Sequence, residues 1–212
     1  KKRPSFDPLI VHVASARSAV LLWREVPDAA KILMEKFWPG PLSIVLPKSK
    51  NVPDVVTSGL STVAVRMPDH PVALKLIREA GCPIAAPSAN LFGYTSPTEA
   101  RAVAEDLGGK IDAVLDGGPS KVGVESTVIK IENGKIFLLR PGGITVEEIE
   151  KAAGLKVIRN FKFSKKESPG LMKSHYAPKV PLVLMGESPA GFVKKSRHLK
   201  KEWLGKGHAW PK

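Results

Sequence analysis

A short loop near the middle of the chain carries a hydroxyl and an amide side chain in front of a strongly patterned helix. The loop is Pro87-Ser88-Ala89-Asn90, and Ser96-Pro97-Thr98-Glu99 follows it. A serine and a glutamate three residues apart predict a capping box, and proline suits the first helical turn. Because the N–H groups at a helix N-terminus bind anions, this loop is suited to hold phosphate oxygens.

Cations, hydroxyls and glycines recur where other predicted strands begin or end. The segments are Lys1-Lys2-Arg3-Pro4, Glu125-Ser126-Thr127-Val128 and Leu139-Arg140-Pro141-Gly142-Gly143. An arginine clamps two oxygens of a phosphate or carboxylate through its planar fork, whereas a lysine acts as a mobile point charge. Together these types predict chemistry on a ligand with several negative oxygens.

Strand and helix patterns alternate between these motifs. Short apolar runs with β-branched residues predict strands, and apolar residues at helical spacing predict helices. The predicted strands are 9–13, 42–46, 62–66 and 84–86, and the predicted helices begin at Asp28, Asp69 and Ser96. Two further strands, 126–131 and 135–140, are joined by Asn133-Gly134, a strong hairpin signal. Thr145 and Glu148 predict a second capping box.

Composition changes along the chain. Residues 1–155 carry the alternating pattern, which predicts an α/β domain with a twisted, open, mixed sheet flanked by helices. Residues 156–180 are rich in Lys, Ser and Pro without a sustained period, which predicts a linker. Residues 181–212 begin with a strand-like apolar run and are too few for an independent domain, so we expect the first part of a small α/β domain.

Bulk properties exclude several classes of protein. The sequence contains no run of about 18 uncharged apolar residues, which a membrane span requires, so no membrane partner is expected. The single Cys82 excludes an intramolecular disulfide and a cysteine-rich zinc site, which fits the reducing cytoplasm. A formal charge of +13 attracts polyanions such as nucleotides or RNA, although many basic proteins are simply basic.

Six motifs follow one another in register over residues 1–145. They are Lys-x-Arg-Pro with Pro-Leu-Ile-Val-His shortly after it, Phe-Trp-Pro-Gly-Pro-Leu, Val-Arg-Met-Pro, Pro-Ser-Ala-Asn, Glu-Ser-Thr-Val and Leu-Arg-Pro-Gly. In this order they resemble the YrdC/Sua5 family of threonylcarbamoyl-adenylate synthases, and the expected fold is YrdC-like. Residues 168–178, which include His175-Tyr176-Ala177-Pro178, are similar to the linker of the two-domain Sua5 branch.

The resemblance implies a nucleotidyltransferase. It would condense L-threonine with bicarbonate and ATP, giving threonylcarbamoyl-AMP and pyrophosphate for the t6A modification of tRNA. The implied partners are ATP with Mg²⁺, a tRNA or double-stranded RNA contact and a downstream threonylcarbamoyl transferase, and no metal-ligand cluster is visible. Several negative charges crowd the α-phosphorus in this reaction, so fixed cations must offset them.

The resemblance also implies roles for individual residues. The catalytic residues are Lys1 and Arg3. ATP is bound by Arg3, Asp7, Thr62, Ser88, Asn90, Ser96, Arg140 and Tyr176, and Tyr176 would close over the nucleotide as part of a lid. L-Threonine is bound by His12, Arg66, the Ala86 main chain and Ser126.

Other interpretations of these residues stay open. A single Lys or Arg is most often a solvated surface charge, and the motif context favours the site for Lys1, Arg3 and Arg140. Ser96 is an N-cap with or without a nucleotide contact. His12 in an apolar strand is a satisfied core histidine or a contact to the substrate side chain, and Ser126 is a ligand contact or an ordinary strand-edge serine.

The sequence departs from the family pattern in three places. Lys2 stands where the family usually has glycine, and Asp7 where it usually has asparagine. A carboxylate at Asp7 would repel a triphosphate unless a metal or Arg3 offsets it. The family's Pro-Thr-Glu-Thr-x-Tyr-Gly-Leu segment, which contributes a threonine-binding residue, is absent from the sequence, so we expect the 1–155 domain to lack its N-terminal segment.

Two alternative functions use the same scaffold. A non-catalytic module that grips double-stranded RNA by its phosphates explains the charge, but it gives no reason for the Ser-x-Asn loop to occur with Arg66 and Ser126. The carbamoyl-transfer domain of hydrogenase-maturation proteins is the other, and the His-Tyr-Ala-Pro linker argues against it.

Overall fold

Strands and helices alternate along the part of the chain that the computed structural model describes, residues 3, 4 and 6–159. The strands are β1 (Ile10–His12), β2 (Leu42–Pro47), β3 (Thr62–Arg66), β4 (Ile84–Ala86), β5 (Thr127–Glu132), β6 (Lys135–Arg140) and β7 (Val157–Ile158). The helices are α1 (Ala16–Val20), α2 (Asp28–Phe37), α3 (Asp54–Thr57), α4 (Pro71–Glu79), α5 (Ala100–Leu107) and α6 (Val146–Ala153).

These strands form one mixed sheet in the order β4-β1-β3-β2-β5-β6-β7. The pairs β1–β3, β2–β5 and β6–β7 are parallel, and β1–β4, β2–β3 and β5–β6 are antiparallel. Asn133 and Gly134 turn between β5 and β6 with φ of 50° and 71°, as a two-residue hairpin turn of this kind requires. The predicted mixed α/β sheet and its hairpin are confirmed.

The two faces of the sheet have different contents, because successive side chains of a strand point to opposite faces. One face packs against α2 and α6 through the main core, in which Leu33, Ile44 and Ile149 are fully buried. The other face carries a smaller apolar cluster of Ile10, Val45, Ala64, Val128 and Leu139. By the same alternation, His12, Ser43 and Arg66 belong to this second face.

Two of the predicted helix starts are wrong. The N-cap of α4 is His70 rather than Asp69, and it makes no side-chain capping hydrogen bond. Helix α5 begins at Ala100 with Glu99 as its N-cap, so Ser96 and Glu99 form no capping box. Instead, Ser96 Oγ donates to the carboxylate of Glu125 at 2.7 Å, a charge-assisted hydrogen bond to a residue distant in the sequence.

The capping box at α6 is confirmed. Thr145 Oγ1 accepts from the Glu148 N–H at 3.2 Å, and the Glu148 carboxylate accepts from the Thr145 N–H at 2.8 Å. Thr145 and Glu148 are three residues apart. In the described part of the chain, their side chains form these hydrogen bonds with each other and with no distant residue. Local pattern therefore decides this helix start, as it does not at Ser96.

Strand β7 and the short helices α1 and α3 were not predicted. β7 has two residues and pairs in parallel with β6, so the sheet continues past residue 155. The division into 1–155, 156–180 and 181–212 stays a prediction, since residues 160–212 lie outside the described residues. In the described part, no helix has the length and apolar content that crossing a membrane requires.

Candidate anion-binding active site

A cavity of about 460 Å³ opens on the face of the sheet opposite α2 and α6. It lies where the parallel strands β1 and β3 end side by side, since His12 is in register with Arg66. Eight of the predicted site residues line it: Arg3, His12, Arg66, Ala86, Ser88, Ser96, Ser126 and Arg140. Segments far apart in sequence therefore bring the predicted nucleotide and threonine groups into one cavity.

Asp7 and Asn90, also predicted to bind ATP, form contacts within the protein. Asp7 is buried and forms an ion pair with Arg3, whose Nη2 lies 2.9 Å from Asp7 Oδ2. The predicted offset of the Asp7 charge by Arg3 is thus present. Asn90 Nδ2 donates to the carbonyl oxygens of Leu91 at 2.7 Å and Tyr94 at 2.8 Å, which shapes the loop after Ser88.

The remaining predicted residues are not in the described lining of the cavity. Thr62 opens β3, at the opposite end of the strand from Arg66. Lys1 and Tyr176 lie outside the described residues. Their roles stay predictions, as do the ATP contacts of Asp7 and Asn90.

Two arginines make the cavity suited to an anion. Burial lowers the pKa of Arg66, and the positive charge of Arg140 lowers it further. Arg66 Nε donates to the Gly40 carbonyl oxygen at 2.9 Å, which holds the side chain in place. Like charges in a partly desolvated site are stabilised by a negative group between them, so a carboxylate or phosphate is the expected ligand.

A β-bulge sets the direction of Arg140. Simple alternation along β6 would place Arg140 on the same face as Leu138, which packs against the main core. The register shifts between Val128 and Ile129, so Ile129 opposes Leu138 but Val128 opposes Arg140. Opposed residues of an antiparallel pair share a face. The bulge therefore turns Arg140 to the face that holds the cavity.

Arg140 holds Ser126 by three hydrogen bonds. Its Nε and Nη2 donate to the Ser126 carbonyl oxygen at 3.1 and 2.9 Å, and Nη2 also donates to Ser126 Oγ at 2.9 Å. Ser126 is 4% exposed and Arg140 is 8% exposed. These bonds hold Ser126 in place in the wall of the cavity, and its contact with threonine stays a prediction.

Gly142 allows this arrangement by its lack of a side chain. A methyl group there would overlap main-chain atoms of Glu125, Ser126 and Thr127. The Gly143 N–H also donates to the Glu125 carbonyl oxygen at 3.0 Å, which keeps the two segments together. The glycine after Arg140 is thus required by close approach of two main chains.

Replacing Gly142 by alanine should lower the free energy of unfolding by about 2–3 kcal/mol, because overpacking against main chain cannot be relieved by a rotamer change. Urea unfolding of the variant measures this. The adjacent exposed Pro141 offers the control, since Pro141→Ala should change the same quantity by less than about 1 kcal/mol. Equal stabilities of Gly142→Ala and wild type would contradict the packing described here.

His12 contributes a neutral imidazole to the cavity. Burial, together with the charge of Arg66, lowers the pKa of His12 to about 4, although main-chain hydrogen bonds act in the opposite direction. At neutral pH the ring therefore carries no charge. This fits a hydrogen-bonding contact to a ligand side chain better than a cationic role.

The lowered pKa of His12 predicts a loss of stability in acid. As pH falls below 6.5, the unfolded chain takes up a proton on His12, while the folded protein does not until about pH 4. Stability from this group is present above pH 6.5 and decreases down to about pH 4, by about 2 kcal/mol at pH 5.

Urea unfolding at pH 7 and pH 5 tests this prediction. The His12→Gln variant should lose less stability between the two pH values than wild type, because glutamine does not titrate. Equal losses in the two proteins would show that the folded protein protonates His12 as readily as the unfolded chain.

Sequence reasoning missed one wall of the cavity and its acidic residue. Ala73, Leu76 and Ile77 of α4 line the cavity, and Leu76 is 49% exposed. The apolar face of α4 was predicted, but an exposed leucine beside a cavity cannot be distinguished in sequence from one in the core. Glu125 also lines the cavity and was not assigned, although it precedes Ser126 in a motif.

The positive charge of the chain lies mainly outside the described fold. Residues 160–212 hold 12 of the 33 Lys and Arg residues but only 3 of the 20 Asp and Glu residues. The cavity therefore attracts anions through the particular placement of Arg66 and Arg140, and not through a general positive field of the domain. Within the described residues, no cluster of His, Cys, Asp and Glu side chains could hold a metal ion.

Comparison with known proteins places this geometry in a family. The family model Sua5_yciO_yrdC, described as "Telomere recombination", matches residues 1–142. A second model, "Threonylcarbamoyl-AMP synthase, C-terminal domain", matches residues 144–208. The two models meet near Gly143, whereas α6 and β7 beyond it pack on the sheet of the first part.

Curated relatives carry a single activity name. The threonylcarbamoyl-AMP synthase of Pyrococcus abyssi is 49% identical over 92% of this chain, and that of Bacillus subtilis is 49% identical over 96%. The chain spans 58% and 59% of the length of these two relatives.

A solved structure agrees with the described fold. The crystal structure of P. abyssi Sua5 complexed with L-threonine is 45% identical, with a TM-score of 0.83 over 98% of this chain and 62% of that one. The predicted YrdC-like fold is therefore confirmed. With family models matching both of its parts, this chain belongs to the two-domain branch of the YrdC/Sua5 family.

Proposed function

We propose that this chain acts as an L-threonylcarbamoyladenylate synthase, converting L-threonine, bicarbonate and ATP into threonylcarbamoyl-AMP and pyrophosphate. The observation that carries the proposal is the single cavity that joins Ser88 and Arg140, predicted for ATP, to His12 and Arg66, predicted for threonine. The shared activity name of the two relatives at 49% identity supports it.

The reaction needs two bond-forming steps on anionic reactants. The threonine amine adds to the carbon of bicarbonate and water leaves, which gives a carbamate. A carbamate oxygen then attacks the α-phosphorus of ATP, and the bond to pyrophosphate breaks. Both steps bring negative charges together, so a site that offsets charge before the reactants arrive lowers the barrier.

In this proposal, different residues of the cavity offset the charges of threonine and of ATP. Arg66 and Ser126 bind the threonine carboxylate, and Arg140 and Arg3 face the phosphates. Ser88 and Ser96 add neutral hydrogen bonds to the nucleotide, for which Ser96 exchanges its bond to Glu125. Neutral His12 contacts the threonine side chain. Lys1 and Tyr176 complete the predicted site from outside the described residues.

Magnesium fits this site as an ion that arrives with ATP. Mg²⁺ keeps several waters and binds substrate phosphates with one or two protein carboxylates, so it needs no dedicated protein cage. Glu125 is the acidic residue in the described lining and would hold the ion. When bound, the ion neutralises phosphate charge and favours departure of pyrophosphate.

A pyrophosphate-release assay on the full chain tests the proposal. Release should require L-threonine, bicarbonate and ATP together, and threonylcarbamoyl-AMP should appear in the mass spectrum. Omission of any one substrate is the control. Release without threonine would contradict the proposal, and steeply salt-dependent binding of double-stranded RNA with no release would favour the non-catalytic module.

The product limits the partners that the proposal allows. A mixed anhydride of a carbamate and AMP hydrolyses in water, so a transferase that passes the threonylcarbamoyl group to tRNA is the expected partner. The basic residues of segment 160–212 are where a tRNA contact would be sought. The cytoplasmic location predicted from the single cysteine stays a prediction.

A further inference from the structure

Ser43 is a buried serine that lies outside the described lining of the cavity and has none of the roles proposed above. Ser43 lies in β2, a strand that is otherwise apolar from Leu42 to Leu46. Its exposure is 0%, and it is not part of the described cavity lining. A hydroxyl in such a place costs free energy unless it forms a hydrogen bond.

The hydroxyl of Ser43 is directed at the site. Ser43 Oγ lies 2.8 Å from Ser126 Oγ, and among the described residues this is its side-chain hydrogen-bond partner. Ser126 Oγ also accepts from Arg140 Nη2 at 2.9 Å. Ser43 thus contacts the hydroxyl of a residue that lines the cavity, although Ser43 itself lies outside the described lining.

Counting donors and acceptors fixes the direction of the serine–serine bond. A serine hydroxyl has one hydrogen and two lone pairs. If Ser126 donated to Ser43, the hydrogen of Ser43 would be buried without an acceptor among the described residues, which carries the full desolvation cost. If Ser43 donates to Ser126, both lone pairs of Ser126 are occupied, and its hydrogen is left for a group in the cavity.

We propose that Ser43 is a positioning residue that makes the Ser126 hydroxyl a hydrogen-bond donor to an acidic oxygen of the ligand. Accepting two hydrogen bonds leaves one direction for the Ser126 hydrogen and strengthens its own donation. The oxygen belongs to a carboxylate or a phosphate, since the arginines beside Ser126 select the same chemistry. This role rests on the proposed function for the identity of the ligand.

Two matched variants test the role of the Ser43 hydroxyl. Ser43→Thr and Ser43→Val add side chains of the same branched shape and differ in the hydroxyl, so added bulk cancels in their comparison. Calorimetric titration of the full chain with L-threonine, and separately with inorganic pyrophosphate, measures the carboxylate and phosphate arms. We expect the valine variant to bind at least one of them about five- to tenfold more weakly than the threonine variant.

The same pair in a Ser126→Ala background shows whether Ser43 acts through Ser126. There the difference between threonine and valine should disappear, because the group that Ser43 positions is gone. A difference that persists overturns the proposal, as do equal affinities of the two variants for both ligands. Thermal unfolding establishes that each variant is folded, and Ser43→Ala against wild type replaces the pair if the larger side chains prevent folding.

These measurements distinguish a failure of the proposed function from a failure of the proposed role of Ser43. A protein that releases no pyrophosphate but shows the valine-to-threonine difference refutes the proposed function and retains the role of Ser43. A wild-type protein that binds neither L-threonine nor pyrophosphate overturns the role, because no oxyanion is then held beside Ser126.

Discussion

Replacement of Arg140 by alanine should reduce threonine-dependent pyrophosphate release at least about 100-fold, as expected when a fixed donor to developing charge is lost. It should also lower the free energy of unfolding by about 2–4 kcal/mol, because the buried Ser126 carbonyl oxygen loses its charged donors. Initial rates and urea unfolding measure the two effects.

Two further variants serve as comparisons for Arg140→Ala. Arg140→Lys keeps a charge but not the planar fork, so it should regain part of the stability and little of the rate. Arg101, whose side chain is 86% exposed and pairs with Glu105, is the matched control. Arg101→Ala should change stability by less than about 0.5 kcal/mol. An Arg140→Ala protein with wild-type rate would remove the main support for the site.

Replacement of Arg66 by methionine should weaken L-threonine binding about 100-fold, which corresponds to about 3 kcal/mol. Unlike Arg140, Arg66 forms one side-chain hydrogen bond within the described residues, to the Gly40 carbonyl oxygen. Its loss also removes a buried charge and the repulsion from Arg140. We therefore expect little loss of stability, a pattern typical of residues retained for function.

Histidine titration by NMR provides an independent readout for the same variant. The charge of Arg66 contributes to the lowered pKa of His12, so the pKa of His12 should rise in Arg66→Met. An unchanged pKa together with unchanged threonine affinity would show that Arg66 does not face the cavity. A rise in the pKa of His12 without a loss of threonine affinity would confirm that Arg66 lies near His12. It would contradict the proposal that Arg66 binds threonine.

Local pattern in the sequence was sufficient for the elements whose partners are close along the chain. The hairpin at Asn133-Gly134 follows from two residues that tolerate positive φ, and the start of α6 follows from Thr145 and Glu148. The apolar runs also predicted strands β1, β2 and β3 correctly, because burial selects β-branched and apolar residues in central strands. The family resemblance indicated eight of the residues that line the cavity.

The start of α5 and the hydrogen bond of Ser96 could not be predicted from neighbouring residues, because the partner of Ser96 is distant in the sequence. Ser96 has the right spacing for a capping box, but its hydroxyl donates to the Glu125 carboxylate at 2.7 Å and the helix begins at Ala100. Asp7 pairs with Arg3 four residues before it, an offset of charge that the sequence had suggested, and its ATP contact stays a prediction. Spacing in the sequence identifies only partners that lie close along the chain, and at Ser96 the fold brings a charged partner from 29 residues away.

Residue types and their spacing were enough to predict the chemical groups that this protein can present, the alternation of its strands and helices, and its family. Tertiary structure alone decided which face each group occupies. A single bulged residue opposite Val128 turns Arg140 towards the cavity, and the pairing of β2 with β5 brings Ser43 into contact with Ser126. The physical reason is that side-chain direction in a sheet reverses with every residue of register, and register is set by long-range pairing.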